Sequence, residues 1–347
     1  MQSVTPTVVV VGAGAIGSAL AGWVAPHYSN LFLLARGESA SVIRDKGMRL
    51  YLKGERAQAA SIPLKVIESM GQISPPEIVV ISVKSYDLEE AAKSLREQLG
   101  IHQPVIVALQ NGVENQRILP RYFNRVIYGV VCFNAWRDGP GEVGHDTKGL
   151  IVLGTPANDL KNEMHQVAEI FRFGLNCNIT DRLQDATHCK LVINQANALL
   201  TLVGFQRQPV DSMPLLAHMT MGLMYEGVLL LKAAGFKEHP LGSIPSWRFI
   251  ETGAKLPTFL IGALYGFSTR KLGLNSMSQD VFRGKAATEL EYLNGYMLRL
   301  AQKTGVPMPI NETVYSFAKE RFGSNFEPVS VKELWKIAQK KGDKRDL

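Results

Sequence analysis

Short β-branched runs alternate with segments of helical period through the first half of the chain. Val8–Val11, Leu31–Leu34, Ile78–Val83, Val105–Leu109 and Val126–Val131 read as buried strands, with Leu150–Gly154 as a further candidate. Gly17–Ala25 and Leu88–Leu99 read as helices between them, as does Ser39–Lys46. This alternation predicts a parallel sheet with crossover helices, and Gly139-Pro140-Gly141 marks a turn. From about residue 180 the period becomes helical, over Asp185–Leu202, Leu215–Ala234, Thr288–Lys303 and Glu312–Arg321. The chain therefore reads as an α/β domain over 1–180 and an all-helical domain over 181–347. Within the second, Pro240–Asn275 is irregular around the apolar run Phe259–Phe267, which reads as a core helix or buried loop, or else as a partner surface or substrate lid.

Length agrees with two domains, since 347 residues is roughly twice the ~150 of a typical one. At 46% apolar and 20% charged residues, the chain is neither disordered nor fibrous. Cys132, Cys177 and Cys189 are too few and too scattered for a disulfide framework or a CxxC site, which fits a reducing cytoplasm. The net charge of +7 is spread along the sequence, apart from a tail (Lys336, Lys340, Lys341, Lys344, Arg345) diluted by Glu333, Asp343 and Asp346. That pattern argues against a nucleic-acid partner and for a field that attracts small anions. Residues 1–35 lack any Lys, Arg, Asp or Glu and raise the question of a membrane anchor or signal peptide. Gly12, Gly14 and Gly17 would lie inside such a helix at about 1 kcal/mol each, so a buried strand, a glycine turn and a helix explain the segment better, with no membrane partner.

That turn carries the first chemistry. Gly12-Ala13-Gly14-Ala15-Ile16-Gly17 follows a valine strand and opens a helix of small residues, the context in which GxGxxG binds a dinucleotide. The first glycine allows the tight turn, the second lets the backbone approach a pyrophosphate, and the third lets helix and strand pack closely. The first domain is thus expected to be Rossmann-like; the alternative is a glycine turn that only packs. About 20 residues on, Arg36 stands where NAD-binding folds carry an acidic residue, and a guanidinium there suits the 2′-phosphate of NADP(H). Glu38, two residues later, is the competing ribose ligand.

Polar residues at the ends of apolar segments are the next candidates. Lys84 and Asn111 follow adjacent predicted strands at their carboxyl ends, where open α/β sheets bind ligands; a solvated lysine and a turn asparagine are the plain alternatives. Lys190 and Asn194 are four apart and share one helix face. A helix lysine usually snorkels, but this helix is apolar enough to be buried, and a partly desolvated lysine acts as a general acid near neutral pH.

With these residues assembled, the chain resembles the ketopantoate reductase (2-dehydropantoate 2-reductase) family along essentially its whole length. The matching stretches are Gly12–Gly17, Val83-Lys84, Gln110-Asn111-Gly112, Lys190 with Asn194, Ser276-Met277-Ser278-Gln279-Asp280, Thr288–Gly295 and Gly305–Asn311. The resemblance implies NADPH-dependent reduction of a 2-oxo acid to a 2-hydroxy acid. It implies Lys190 as the acid that protonates the carbonyl oxygen, and Glu289 as a carboxylate near substrate and cofactor. Ser276 and Asn194 would contact substrate, Asn111 would stand beside the nicotinamide ribose and the reacting centre, and Ala13, Ala15, Ile16, Lys84 and Ala135 would join the cofactor contacts. Three features depart from the pattern. Ala198 stands where a second substrate asparagine is expected, with Asn197 about 100° away around the helix. The segment Ser276–Glu289 is one residue longer, leaving Glu291 as an alternative to Glu289, and Pro240–Asn275 is also long. His188-Cys189 and His145-Asp146 read as structural pairs, no metal site is expected, and Tyr86 and Trp136 either border the cofactor or simply pack. The expectation is therefore a cytoplasmic NADP(H)-dependent reductase of ketopantoate, with a different 2-oxo acid or a non-catalytic NADPH sensor as alternatives and a homodimer as a plausible assembly.

Overall fold

The computed structural model describes residues 5–262, 275–285, 287–323 and 325–343. The chain divides into two compact units, Met1–Leu183 and Gln184–Leu347. Together they are a mixed α/β unit built on a mostly parallel sheet and a helical unit, as the alternation of periods predicts.

In the first unit the strands are β1 (Val8–Val11), β2 (Leu31–Leu34), β3 (Met48–Leu52), β4 (Ser61–Ile62), β5 (Lys65–Ile67), β6 (Ile78–Ile81), β7 (Val105–Ala108), β8 (Val126–Val131), β9 (Ala135–Gly139), β10 (Glu142–His145), β11 (Leu150–Gly154) and β12 (Asn176–Ile179). Eight form one sheet in the order β12-β11-β8-β7-β6-β1-β2-β5, parallel throughout except where β11 runs against β8. The four valines of β1 are buried between β2 and β6, where branched side chains pack well on both faces of the pleat. Helices α1 (Ala15–Val24), α2 (Gly37–Lys46), α3 (Leu88–Leu99), α4 (Asn115–Ile118) and α5 (Lys161–Arg172) make the crossovers.

A second sheet, β4-β3-β10-β9, was not expected from the sequence. Its hairpin β9–β10 closes at Gly139-Pro140-Gly141, and β3 pairs in parallel with β10, Arg49 opposite Glu142. Helix α1 packs on strands of both sheets. The Trp23 ring sits edge-on to Phe133 at 5.0 Å and to His145 at 5.1 Å, and a Cβ at Gly22 would overlap the Met48 side chain of β3. Strand β6 stops at Ile81 rather than Val83 because Ser82 turns its hydroxyl onto the carbonyls of Val11 (2.9 Å) and Gly12 (3.2 Å).

The second unit contains α6 (Leu183–Asn194, whose first residue closes the first unit), α7 (Ala196–Leu202), α8 (Met213–Ala233) and α9 (Trp247–Ala254), then the helices Ser276–Phe282, Tyr296–Thr304, Pro309–Arg321 and Val331–Asp343. No strand occurs among its described residues. Helix α8 is long and apolar enough to cross a membrane by length and composition, yet Leu216, Met219, Leu223, Leu230 and Leu231 are fully buried among the neighbouring helices, the pattern of a core helix. The stretch expected as one helix over Asp185–Leu202 is interrupted at Gln195. The helix expected from Thr288 begins instead with a π-helical turn, Glu291–Gly295. Of the apolar run Phe259–Phe267, Ile261 is buried while Phe259 is 70% exposed, and residues 263–267 lie outside the described residues.

Candidate active site

The glycine turn has the geometry its spacing requires. Gly12 has φ +105°, a conformation only glycine adopts without strain, and its N–H donates to the Leu34 carbonyl (3.1 Å). A Cβ at Gly17 would overlap the Ser82 hydroxyl and the Gly12 carbonyl oxygen, so this glycine sets the approach of α1 to the strands. Gly14 is different: a Cβ there would meet nothing within 4 Å. It is the N-cap of α1, with no side-chain cap and no acidic residue in the first turn, so the backbone N–H groups there and the positive end of the helix dipole are open to an anion.

A cavity of about 360 Å³ adjoins this turn. Val11, Gly12, Ala13, Leu34, Ala35 and Arg36 line one side; Val83, Asp87, Glu90, Ser94 and Gln98 line the other. It lies at the carboxyl ends of β1, β2 and β6, the ligand position of open α/β sheets. Arg36 is exposed at the N-cap of α2, and Glu38, also exposed, lies in the first turn of that helix. A glycine cradle with open N–H groups beside this cavity fits the pyrophosphate of a dinucleotide.

Lys84 and Asn111 lie on neighbouring loops after β6 and β7, both half-buried. These loops are tied together: the Ser85 hydroxyl donates to the Asn111 carbonyl (3.2 Å), and the buried Gln110 amide donates to the carbonyls of Ile81 (2.8 Å) and Val83 (3.2 Å). Ala135 is buried at the start of β9, on the small sheet. Trp136 packs against Gly144 and donates its indole N–H to Asp138 (3.2 Å).

In the helical unit, Lys190 is half-buried on α6 and Asn194 is buried at its last residue. Ser276 opens its helix, which Asn275 caps by accepting the Ser278 N–H (2.9 Å). The Ser276 hydroxyl donates to Glu289 at 3.3 Å, and Glu289 is only 2% exposed. Glu291 is half exposed, accepting from the Tyr315 hydroxyl (2.5 Å) and pairing with Arg299 and Lys319 (both 3.5 Å). The geometry thus brings Ser276 to Glu289 and assigns Glu291 to a surface ion network. Ala198 is fully buried; the Asn197 carbonyl accepts from Thr201 (2.7 Å) and Asn275 (3.4 Å).

His188 and Cys189 point to different partners. His188 is bonded to the Gln184 carbonyl and the Tyr296 hydroxyl, both at 2.7 Å, and burial holds its pKa below the usual imidazole range. Cys189 accepts the His239 N–H (3.3 Å), and burial pushes its thiol up to about 11. All three cysteines are free, and no group of His, Cys, Asp or Glu among the described residues is arranged to hold a metal ion. Ser82 and Glu226 were not singled out from the sequence, and Asn294 lay in a matching stretch without a role of its own. Ser82 interrupts an apolar strand and Glu226 an apolar helix, and that signal was available.

Strand, glycine turn and helix at the middle of a mostly parallel sheet, followed by a helical unit with a lysine and a half-buried serine bonded to a buried carboxylate, fit the class of dinucleotide-binding reductases. The family follows from the sequence itself: residues 8–158 match the model described as ketopantoate reductase PanE/ApbA, and residues 182–322 match its C-terminal model, so the chain belongs to the ketopantoate reductase family of oxidoreductases. A 2-dehydropantoate 2-reductase of Pyrococcus abyssi is 24% identical over 312 residues, covering 89% of this chain and 96% of the relative. The crystal structure of 2-dehydropantoate 2-reductase from Geobacter metallireducens shares the fold, with TM-score 0.73, 24% identity, and coverage of 90% of this chain and 99% of that one. D-mandelate dehydrogenase, solved with NADH and anilino(oxo)acetate, shares it with TM-score 0.71, 18% identity, and coverage of 90% and 97%.

Proposed function

We propose that the chain is an NADPH-dependent reductase of a 2-oxo acid, with 2-dehydropantoate (ketopantoate) as substrate and pantoate, on the route to pantothenate, as product, acting in a reducing cytoplasm. The observation that carries the reading is the buried Glu289 carboxylate bonded to the Ser276 hydroxyl, in the unit that also holds Lys190. A carboxylate is costly to bury, and its retention beside a hydroxyl suits a polar substrate site.

When bound, NADPH supplies the hydride. The open N–H groups after Gly14 would hold its pyrophosphate, with Ala13, Ala15 and Ile16 shaping the turn, and the Arg36 guanidinium would pair with the 2′-phosphate. Lys84, Asn111 and Ala135 would serve the nicotinamide end. The Lys190 ammonium gives a proton to the carbonyl oxygen, and its charge stabilises the alkoxide developing there. Asn194 orients the substrate. Ser276 has one hydroxyl hydrogen: donating it to the substrate carboxylate turns it away from Glu289, whose oxygen is then available to a hydroxyl of substrate or cofactor.

Loss of reduced-nicotinamide absorbance with purified protein and ketopantoate tests this, with NADH as the cofactor control and Lys190→Ala as the mechanistic one. Turnover with NADPH preferred supports both the reaction and the Arg36 assignment. Wild-type turnover in Lys190→Ala removes that residue from its role. A second reading, a different 2-oxo acid, is favoured by the buried Ala198, which offers no hydrogen bond to a substrate hydroxyl. Turnover of other 2-oxo acids but not ketopantoate selects it. Tight NADPH binding without any turnover selects the sensor.

A further inference from the structure

The helix segment that carries Lys190 and Asn194 is attached at both ends to the segment that follows Glu289. At the near end, the His188 ring accepts from the Tyr296 hydroxyl (2.7 Å). The direction is fixed because the other ring nitrogen faces the Gln184 carbonyl (2.7 Å), which only accepts; Nδ1 therefore carries the hydrogen of the neutral ring and Nε2 is left as acceptor. At the far end, the Gln195 carbonyl accepts from the Asn294 side-chain amide (3.1 Å), at the place where the helical ladder is interrupted. The second hydrogen of that amide goes to Asn311 Oδ1 (2.7 Å), and the Asn311 backbone N–H is held by the buried Glu226 (2.9 Å). Asn294 and Asn311 are fully buried, and Asn294 lies in the π-helical turn only five residues past Glu289.

We propose that Asn294 and Tyr296 are positioning residues, a two-point clamp that fixes Lys190 and Asn194 relative to Glu289 and its partner Ser276. The proposal rests on the functional reading above for the roles of those four residues, but the clamp itself is a matter of hydrogen bonds. Lys190 and Asn194 lie between the two attachment points, so neither end of their helix turn can rotate without breaking one. The wide turn places Asn294 where its amide reaches both Gln195 and Asn311; π-turns of this kind occur often at functional sites.

Asn294→Leu keeps the volume and removes both donors; Tyr296→Phe removes only the hydroxyl; Asp211→Ala, at a helix cap elsewhere in the unit, is the control for mere loss of stability. Hydrogen-exchange mass spectrometry on the full chain reads the clamp directly. Peptides covering 188–197 are expected to exchange faster in the first two variants and unchanged in the control. In the activity assay, kcat is expected to fall about 10–100-fold in Asn294→Leu, since misplacement by about 1 Å is enough for that, with the NADPH dissociation constant within about 2-fold of wild type. Unchanged exchange, or wild-type kcat and KM in folded Asn294→Leu, overturns the proposal. If Asn294→Leu does not fold, Tyr296→Phe decides by the same two readouts. If the wild type turns over no 2-oxo acid, the functional reading fails while the exchange experiment still decides the clamp.

Discussion

Gly14 and Gly17 stand three residues apart in one motif and do opposite things. Gly17→Ala drives a methyl into the Ser82 hydroxyl and the Gly12 carbonyl, so it is expected to lower stability by about 1–3 kcal/mol in a thermal or denaturant melt. Gly14→Ala meets no protein atom and is expected to melt like wild type, yet to weaken NADPH binding in a fluorescence titration, because the methyl intrudes where phosphate oxygens approach. Glu289 and Glu291 make a similar pair. Glu289→Gln removes a charged, buried partner of Ser276 and is expected to lower kcat/KM roughly 10–100-fold, whereas Glu291→Gln, with exposed ionic partners, is expected to stay within about 2-fold. The sequence left those two glutamates undecided because the segment Ser276–Glu289 is one residue longer than the family pattern, and helical phase offers no second way to choose. A helical period extended back from Lys303 passes through the π-turn Glu291–Gly295, whose wider winding destroys the phase from which their directions would be read. The glycine turn was legible because Gly12 and Gly17 answer local steric demands, while Gly14 leaves the helix N-terminus open to approach.

At the scale of elements, the strands of the wide sheet were legible because they are buried on both faces and read as unbroken apolar runs. The small sheet was not. Its strands are two to five residues long and mix polar with apolar positions, and its pairing of Arg49 with Glu142 joins distant parts of the chain, which no local period encodes. The helix Val331–Asp343 also escaped; what starts it comes from elsewhere in the sequence. Asp211 accepts the Ser330 hydroxyl (2.7 Å) and the N–H groups of Val331 (3.0 Å) and Lys332 (3.4 Å). Burial pushes the carboxyl up, but these hydrogen bonds outweigh it and hold its pKa below the usual value. Asp211→Ala is expected to cost roughly 0.5–2 kcal/mol at neutral pH. Since the folded pKa is depressed, this contribution is complete above the unfolded value near 3.9 and is lost as pH falls through the folded value. Denaturant melts of both proteins should therefore converge only in strong acid.

For the whole molecule, titration of histidine sets a second and milder pH window. His145 in the α/β unit and His188 and His218 in the helical unit are all held below the usual imidazole pKa by burial. With the folded values depressed, the unfolded chain binds more protons in the window just below about 6.5, so stability is complete above that pH and falls as the solution is acidified through it. Melting temperature is expected to drop between pH 7.5 and pH 5.5, well above the range in which Asp211 titrates; a flat profile would show that the three rings are solvated. The wide sheet bears on a different property of the molecule. Both of its edge strands are short, Lys65–Ile67 and Asn176–Ile179, and their outer positions carry exposed Lys65, Asn176 and Asn178. Such edges offer little backbone for a foreign strand to continue and oppose it with charge and polarity. Concentrated solutions of the folded protein should accordingly resist fibril growth from this sheet.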